Sequence, residues 1–417
     1  MAPVGAEYTD ENDDYDELED EGALDGGYAD GEYADETADD LAWRSLLDEH
    51  DIVVGCGSGG VGKTTISAAI ALQGARMGRR SCVVTIDPAR RLADALGLES
   101  LGNAAHRVEG DWSGELWALQ LDPKSTFDDL VRKYADDAEQ AEGILDNRLY
   151  KNLTEALSGT QEYMAMEKLY ELAEEDRFDL IVVDTPPSRN ALDFLEAPGR
   201  LTRFLGHRLF QFLLLPTRAS LRAFSVASQA LLRTISRVAG AEIVNDAVAF
   251  FQAFAGMEEG FRHRAGRVRE LLGDRATAFV LVSAPRLDTV AEAGWFADRL
   301  DEAGMQVDAL VVNRVHPVFW EDTDELESLV TPGTPDPDMP ASAFYDLVDN
   351  LLSLCEVNER EEATIAELVA QVAPAPVIRV PLLEEDVHDL EGLARVADAL
   401  FEVFDPSEAA TRPSPED

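Results

Sequence analysis

One glycine-rich segment limits what this chain can fold into more than any other feature. It follows the apolar run 52–54 and precedes a helical pattern over residues 66–72. It matches the phosphate-binding loop pattern G-x-x-x-x-G-K-[ST] in the strand–loop–helix context that the pattern requires. The members of the loop are Gly57, Ser58, Gly59, Gly60, Val61, Gly62, Lys63, Thr64 and Thr65.

The residue types in this loop indicate that it binds a nucleotide. Glycines leave backbone N–H groups free to surround phosphate oxygens, and the N-terminus of the following helix adds partial positive charge. In this pattern Lys63 reaches the β- and γ-phosphates, and the Thr64 hydroxyl is a ligand of Mg²⁺. The alternative is an ordinary glycine-rich turn, but the flanking strand and helix favour nucleotide binding.

Charge and cysteine content exclude several classes of protein. The net charge is −47, which repels nucleic acid and anionic lipid, so we expect neither as a partner. Three widely separated cysteines form no disulfide framework and suit a reducing cytoplasm. The N-terminus lacks a signal-peptide pattern, and no apolar run approaches the ~20 residues that cross a bilayer. We therefore expect a soluble cytoplasmic protein without an integral membrane segment.

Composition also suggests the domain boundaries. Residues 1–40 contain 17 Asp and Glu and no Lys or Arg. Such a segment has too little apolar surface to bury and does not fold alone. We predict an acidic disordered tail over residues 1–45, a folded domain over 46–405 and a loose tail over 406–417.

Apolar runs and helical periodicity alternate along the folded part, which predicts an α/β fold. Such alternation is typical of a mostly parallel, doubly wound sheet. The intervals 124–176 and 196–272 are too long for simple crossovers and predict an inserted helical subdomain. The predicted buried strands are 52–54, 81–86, 116–121, 180–183, 278–282, 309–312 and 377–380.

Two aspartates follow predicted strands, at the edge where an open α/β sheet holds its ligand. Asp184 follows the run 180–183, and Asp87 follows the run 82–86. An acid beside a phosphate loop commonly holds Mg²⁺ or its waters, so Thr64, Asp87 and Asp184 form the expected magnesium site. The Asp87 carboxylate could also orient the attacking water. The alternative for each aspartate is a helix N-cap.

Several ordered segments together resemble the arsenite-pump ATPase (ArsA) family, which also contains the eukaryotic ATPase that targets tail-anchored membrane proteins. The resemblance covers residues 50–400, and residues 144–172 are most similar to an actinobacterial branch. Its segments are the loop 57–65, 85–89 (TIDPA), 119–123 (LQLDP), 184–187 (DTPP), 312–314 (VNR) and 380–383 (VPLL).

The resemblance implies a P-loop ATPase that uses ATP and Mg²⁺, with Lys63, Asp87 and Asp184 as catalytic residues. By the same resemblance Asp87 positions the hydrolytic water, and Asp184 lies beside the waters of Mg²⁺. Asn313 contacts the adenine edge, and Pro381 lies near the base. Family members are dimers that hold ATP between subunits and relay hydrolysis to a helical client-binding region. We therefore expect a homodimer, or a heterodimer with a related ATPase subunit, and a hydrophobic or amphipathic protein client.

The sequence departs from the family pattern in three ways. The family's second loop lysine, which reaches the partner's nucleotide, is replaced by Ser58. A partner subunit, Arg90 or Arg91 could supply the missing charge, or hydrolysis is slow. The metalloid-binding cysteines are absent, so we do not expect arsenite as a substrate. The paired Cys-x-x-Cys of the targeting factor is also absent, so we expect no zinc-bridged dimer.

Two other functions use the same loop. One is a regulatory switch of the MinD/ParA kind, and the other is a metabolic kinase, for which we find no acceptor-site signature. An amphipathic pattern over residues 390–404 could anchor such a switch to a membrane. Its polar face is acidic, however, which is wrong for anionic lipid, so we predict a packing helix.

Residues 197–241 contain seven arginines and no acidic residue, interleaved with many apolar side chains. Helical core with paired arginines is one interpretation of this stretch. The other is an apolar client groove with a cationic rim, covered by the acidic tail when empty.

Overall fold

The apolar runs of the sequence form one eight-stranded sheet in the computed structural model of the protein. The structure describes residues 38–87, 89–148, 150–151, 160–186, 250, 258–318 and 341–401. The strands are β1 (Ile52–Gly57), β2 (Arg80–Thr85), β3 (His106–Val108), β4 (Glu115–Gln120), β5 (Leu180–Asp184), β6 (Thr277–Ser283), β7 (Ala309–Val315) and β8 (Val377–Pro381).

The strand order is β3-β4-β2-β5-β1-β6-β7-β8. Every neighbouring pair is parallel except β3 with β4. The carboxyl ends of β1, β2, β5 and β7 therefore meet at one edge of the sheet, and the phosphate loop follows β1 at that edge. This confirms the predicted α/β class with a mostly parallel sheet.

Helices connect these strands and cover both faces of the sheet. They are α1 (Ala38–Glu49), α2 (Lys63–Arg76), α3 (Arg91–Ala95), α4 (Pro123–Tyr134), α5 (Ala138–Leu145), α6 (Thr160–Glu174), α7 (Glu258–Leu272), α8 (Leu287–Glu302), α9 (Ala341–Val372) and α10 (Leu390–Phe401).

Successive residues of the central strand enter two separate hydrophobic cores. Ile52 and Val54 pack in the core that includes residues of α6, α7, α8 and α9. Val53 packs in the opposite core, with residues of α1, α2 and α10. Side chains alternate between the faces of a strand, so a sheet covered on both faces requires continuous apolar runs. The doubly wound arrangement predicted from those runs is confirmed.

The folded part begins earlier than predicted. Helix α1 starts at Ala38, inside the stretch 1–45 that we expected to be a disordered tail. Trp43 is 1% exposed and stacks on Phe401, with ring centroids 5.1 Å apart. The Arg44 side chain donates a hydrogen bond to the Phe401 carbonyl. The acidic composition of the first 40 residues concealed this helix, because its apolar contacts lie at Trp43 and beyond.

The short strand β3 was not predicted either. It has three residues and pairs antiparallel with β4 at the edge of the sheet. Only Val108 of the three is buried, so no apolar run marks it in the sequence.

The C-terminal helix α10 is a packing helix, as predicted. Leu393, Val396 and Leu400 are buried in the core that contains α2, and the acidic face pairs with α2 through Asp398 and Arg76 at 2.6 Å. Of the helices in the described part of the chain, none has the length and apolar content needed to span a bilayer.

Several predictions concern residues outside the described part of the chain. They are the acidic tail before residue 38, most of the interval 196–272, the stretch 197–241 and the tail 406–417. The helices α4, α5 and α6 occupy the interval 124–176, and α7 ends the interval 196–272. The inserted helical subdomain and the client groove remain predictions.

Candidate functional site

Glycine is required at two positions of the phosphate loop. Gly57 has φ +147°, and a Cβ there would overlap the Val282 carbonyl oxygen of β6. Gly62 has φ +94°, and a Cβ there would overlap the Asn313 side-chain nitrogen. Both positions combine a backbone conformation that L-residues rarely adopt with a close approach of neighbouring atoms. The loop therefore begins in close contact with β6 and ends against Asn313 of β7.

Lys63 is the first residue of α2 and points back into its own loop. Its Nζ donates a hydrogen bond to the Ser58 carbonyl at 2.7 Å, and the residue is 7% exposed. Burial lowers the pKa of the Lys63 ammonium below its ordinary value, while the nearby Asp184 carboxylate raises it. A polyphosphate in the loop would be a second anionic neighbour, so this lysine suits a phosphate ligand.

Asp184 is the acceptor of two hydroxyl groups. The hydroxyls of Thr64 and Thr85 donate to its Oδ2 at 2.8 and 2.7 Å. Asp184 is 1% exposed, and its Oδ1 has no hydrogen-bond partner among the described residues. Burial raises the pKa of this carboxyl, and the two hydroxyl bonds and Lys63 oppose the rise.

These groups fit a magnesium ion held together with a nucleotide. Thr64 gives its only hydroxyl proton to Asp184, so its oxygen lone pairs remain available to a cation. The unpartnered Asp184 Oδ1 can accept hydrogen bonds from the waters of that cation. No cluster of three or more His, Cys, Asp or Glu that could hold a metal occurs in the part of the chain described. A magnesium ion that binds mainly phosphate oxygens and water does not need one.

Asp87 lies two residues after β2, and its segment is fixed from three directions. Its N–H donates to the Thr85 hydroxyl at 3.3 Å, and its Oδ1 accepts from the Ala89 N–H at 2.9 Å. Its Oδ2 lies 3.5 Å from the Arg91 guanidinium. The N-cap of α3 is Arg90, so Asp87 does not cap that helix. The carboxylate forms a local turn contact and still lines the cavity described below.

Gln120, the last residue of β4, holds the backbone of the same segment. Its Nε2 donates to the carbonyl of Asp87 at 2.8 Å and to that of Ala89 at 3.4 Å. We expect Gln120→Ala to lower kcat about tenfold, because losing one or two such bonds costs about 1–1.5 kcal/mol and lets Asp87 move. Steady-state phosphate release measures this effect.

The matched control for this prediction is Gln371→Ala on α9. That glutamine also donates from Nε2 to a backbone carbonyl, that of Gly294, at 2.9 Å, but it does not contact the segment 87–89. Equal kcat losses in the two variants would mean that Gln120 acts through stability and not through Asp87.

Asn313 contacts the phosphate loop directly. Its Nδ2 donates to the Val61 carbonyl at 2.8 Å, and the residue is 9% exposed. This nitrogen is therefore occupied by the loop in the structure, and contact with an adenine edge stays a prediction. Pro381 ends β8 and lies outside the set of described residues that line the cavity, so its position near the base also stays a prediction.

Ser58, which replaces the expected lysine, is 2% exposed. Its hydroxyl has no hydrogen-bond partner among the described residues. Of the two arginines considered as substitutes, Arg91 lines the cavity. Arg90 is exposed and is not one of the described lining residues.

A cavity of about 300 Å³ lies over the loop at the carboxyl edge of the sheet. This volume is at the lower end of the range for small-molecule sites. Basic and acidic side chains share its wall. The lining residues come from the loop and α2 (Gly60, Gly62, Lys63, Thr64, Thr65), from the acids Asp87, Asp94 and Asp184, and from Arg91, Thr185, Arg314 and Val387.

Several residues in or beside the cavity had no predicted role. Thr85 and Gln120 lie inside segments 85–89 and 119–123, but neither had been given a role. Their strand-end position was the available signal, because carboxyl ends of parallel strands meet at the ligand edge. Asp94 and Arg314 carry no such signal, since a short helix and a local backbone irregularity bring them to the cavity.

Comparison with known proteins gives the family. The model of the anion-transporting ATPase (ArsA) family matches residues 50–329. The ATPase GET3 of Podospora anserina is 24% identical over 382 residues, which cover 89% of this chain and 97% of that protein. The ATPase get3 of Aspergillus terreus is 24% identical over 355 residues, which cover 84% of this chain and 90% of that protein. The ATPase GET3 of Ajellomyces dermatitidis is 31% identical over 167 residues, 39% and 48% of the two chains.

The family match starts just before β1 and extends beyond β7, so it includes the phosphate loop, Asp87, Asp184 and Asn313. It spans more than half of the chain. The chain therefore belongs to the anion-transporting ATPase (ArsA) family and is an ATP-hydrolysing enzyme.

Proposed function

We propose that this ATPase hydrolyses ATP with Mg²⁺ as a dimer, and that its nucleotide state controls a helical region that holds a hydrophobic or amphipathic protein client. One observation carries the proposal: a chain of hydrogen bonds runs from Thr64 through Asp184 and Thr85 to Asp87. It joins the loop that would hold the nucleotide to the segment that would respond to loss of the γ-phosphate.

The side chains at this edge suit the separate tasks of phosphoryl transfer to water. The Lys63 ammonium balances charge on the transferred group. The Asp87 carboxylate accepts a hydrogen bond from the attacking water and so orients it. Thr64 and Asp184 would hold Mg²⁺ and its waters, and the bound ion supplies charge neutralisation of the β- and γ-phosphate oxygens.

The proposed relay to a helical region runs through β4 and α4. Gln120 holds the segment 87–89 at the end of β4. Two residues later Asp122 caps α4 by accepting the Lys124 N–H at 3.0 Å. Helix α4 contacts α6, and both lie in the interval 124–176. A shift of the segment 87–89 would therefore move the helices that lead to the predicted client region.

Light scattering on the full-length chain tests the dimer switch. With Mg²⁺ and a non-hydrolysable ATP analogue we expect the mass of a dimer, and with ADP a smaller dimer fraction. Phosphate release should require Mg²⁺ and stop in EDTA. A fluorescent apolar helical peptide should bind about tenfold more tightly in one nucleotide state, within the usual range of coupling between two sites.

Each of these measurements has one result that contradicts the proposal. Phosphate release that continues unchanged in EDTA contradicts the magnesium role. An identical mass in all nucleotide states contradicts the dimer switch, and equal peptide affinity in all states contradicts the client role. No observation in the described residues favours the regulatory switch or the metabolic kinase.

A further inference from the structure

We propose that Arg314 is a phosphate-binding residue of the nucleotide cavity, placed there by a β-bulge. The inference depends on ATP as the nucleotide and not on the proposed dimer or client.

A β-bulge in β7 brings Arg314 to the loop. Asn313 pairs with Val380 of β8 and Val315 pairs with Pro381, so two steps along β7 match one step along β8. Arg314 is the extra residue, and it is the exposed position of an otherwise buried strand. Bulges of this kind redirect a side chain and are frequent beside active sites.

The bulge makes two consecutive side chains meet the same loop. In a regular strand successive side chains point to opposite faces. Here the Asn313 Nδ2 donates to the Val61 carbonyl at 2.8 Å, and the Arg314 Nη1 lies 3.3 Å from the adjacent Gly60 carbonyl. Asn313 holds the loop, while the Arg314 guanidinium reaches the rim of the cavity.

The backbone of Arg314 is strained to permit this placement. Its φ is +64°, in the left-handed region that residues other than Gly, Asn and Asp rarely adopt. Such strain is concentrated at ligand sites. A glycine would relieve it, so the arginine is present for its side chain and not for the turn.

The charge of Arg314 is available to a ligand. Gly60 is its only hydrogen-bond partner among the described residues, and none of their carboxylates lies within ion-pair distance. By contrast, Lys63 is turned to Ser58, and Arg91 lies beside Asp87. The protein carries a net charge of −47, so a polyphosphate depends on local cations at this cavity. A guanidinium binds phosphate oxygens with two parallel N–H groups.

Nucleotide titrations of the full-length Arg314→Gln variant test this inference. We expect the affinity for ATP to fall about tenfold or more, that for ADP to fall less, and that for adenosine to stay unchanged. Arg314→Lys should recover part of the loss. Arg314→Gly should lose ATP affinity as the glutamine variant does, yet melt at or above the parent temperature, because it relieves the strained φ.

The matched control is Arg267→Gln on α7, which removes the same charge from an exposed ion pair with Glu270 and should leave every affinity unchanged. Equal losses for ATP, ADP and adenosine in Arg314→Gln would overturn the inference, because the residue would then only shape the loop. Unchanged ATP affinity would overturn it as well. A parent protein that binds no ATP would instead contradict ATP use by this cavity.

Discussion

Replacing Lys63 with alanine should abolish measurable ATP turnover, a loss of about 10³-fold or more. Removing one preorganised hydrogen-bond donor that stabilises a transition state commonly lowers kcat 10²–10³-fold. In phosphoryl transfer, charge stabilisation supplies most of the catalysis. Lys63 is buried in its loop, 2.7 Å from the Ser58 carbonyl, so no solvent ion replaces it readily. Phosphate release at saturating ATP measures the loss.

Lys124→Ala is the matched control for this prediction. Lys124 is exposed and pairs with Asp128 at 2.8 Å on the surface of α4, so its removal should leave turnover within about twofold of the parent, as for a surface pair. A Lys63→Ala protein that melts with the parent and still hydrolyses ATP at the parent rate would show that the loop is not the site of catalysis.

The central sheet could be predicted because burial on both faces leaves an apolar run within a short strand segment. Strands buried on both faces need unbroken apolar runs, and six of the eight strands carry one. In β8 the exposed Arg379 interrupts the apolar run, and the run still marks a strand because the residues on either side are apolar. The strand β3 lacks such a run because only Val108 of its three residues is buried. The start of α1 was missed for a related reason. Its helix was hidden by acidic neighbours, and the partner of Trp43 is Phe401, more than three hundred residues away.

The residues of the candidate site also fall into two groups. Some follow from a sequence motif, and others reach the site only because the folded chain brings distant segments together. The loop, Asp87 and Asp184 follow from motif chemistry and from their place after strands. The roles of Gln120 and Arg314 depend on where other elements lie. Gln120 reaches the segment 87–89 only because β4 lies beside β2, and Arg314 reaches the loop only through a bulge. A short stretch of sequence predicts neither the pairing of β4 with β2 nor the bulge in β7.

Replacing Asp87 with asparagine should separate ATP binding from hydrolysis. The asparagine keeps a side-chain oxygen that can accept the Ala89 N–H, as Oδ1 does at 2.9 Å, so the segment should keep its shape. It loses the negative charge that would orient and polarise the attacking water. We expect kcat to fall about 10²–10⁴-fold, the usual contribution of such a group, with the Kd for ATP within a few-fold of the parent value.

The same substitution decides between the two interpretations of this aspartate. The structural alternative for Asp87 is its turn contact with the Ala89 N–H, which an asparagine oxygen can also make, so a purely structural Asp87 predicts that both kcat and Kd stay at parent values. Asp94→Asn is the matched control, because Asp94 lines the same cavity but belongs to α3 and does not follow a strand. Parent-like turnover in Asp87→Asn would assign Asp87 to the turn alone, whereas a large loss there with little change in Asp94→Asn would place the water-orienting charge at Asp87.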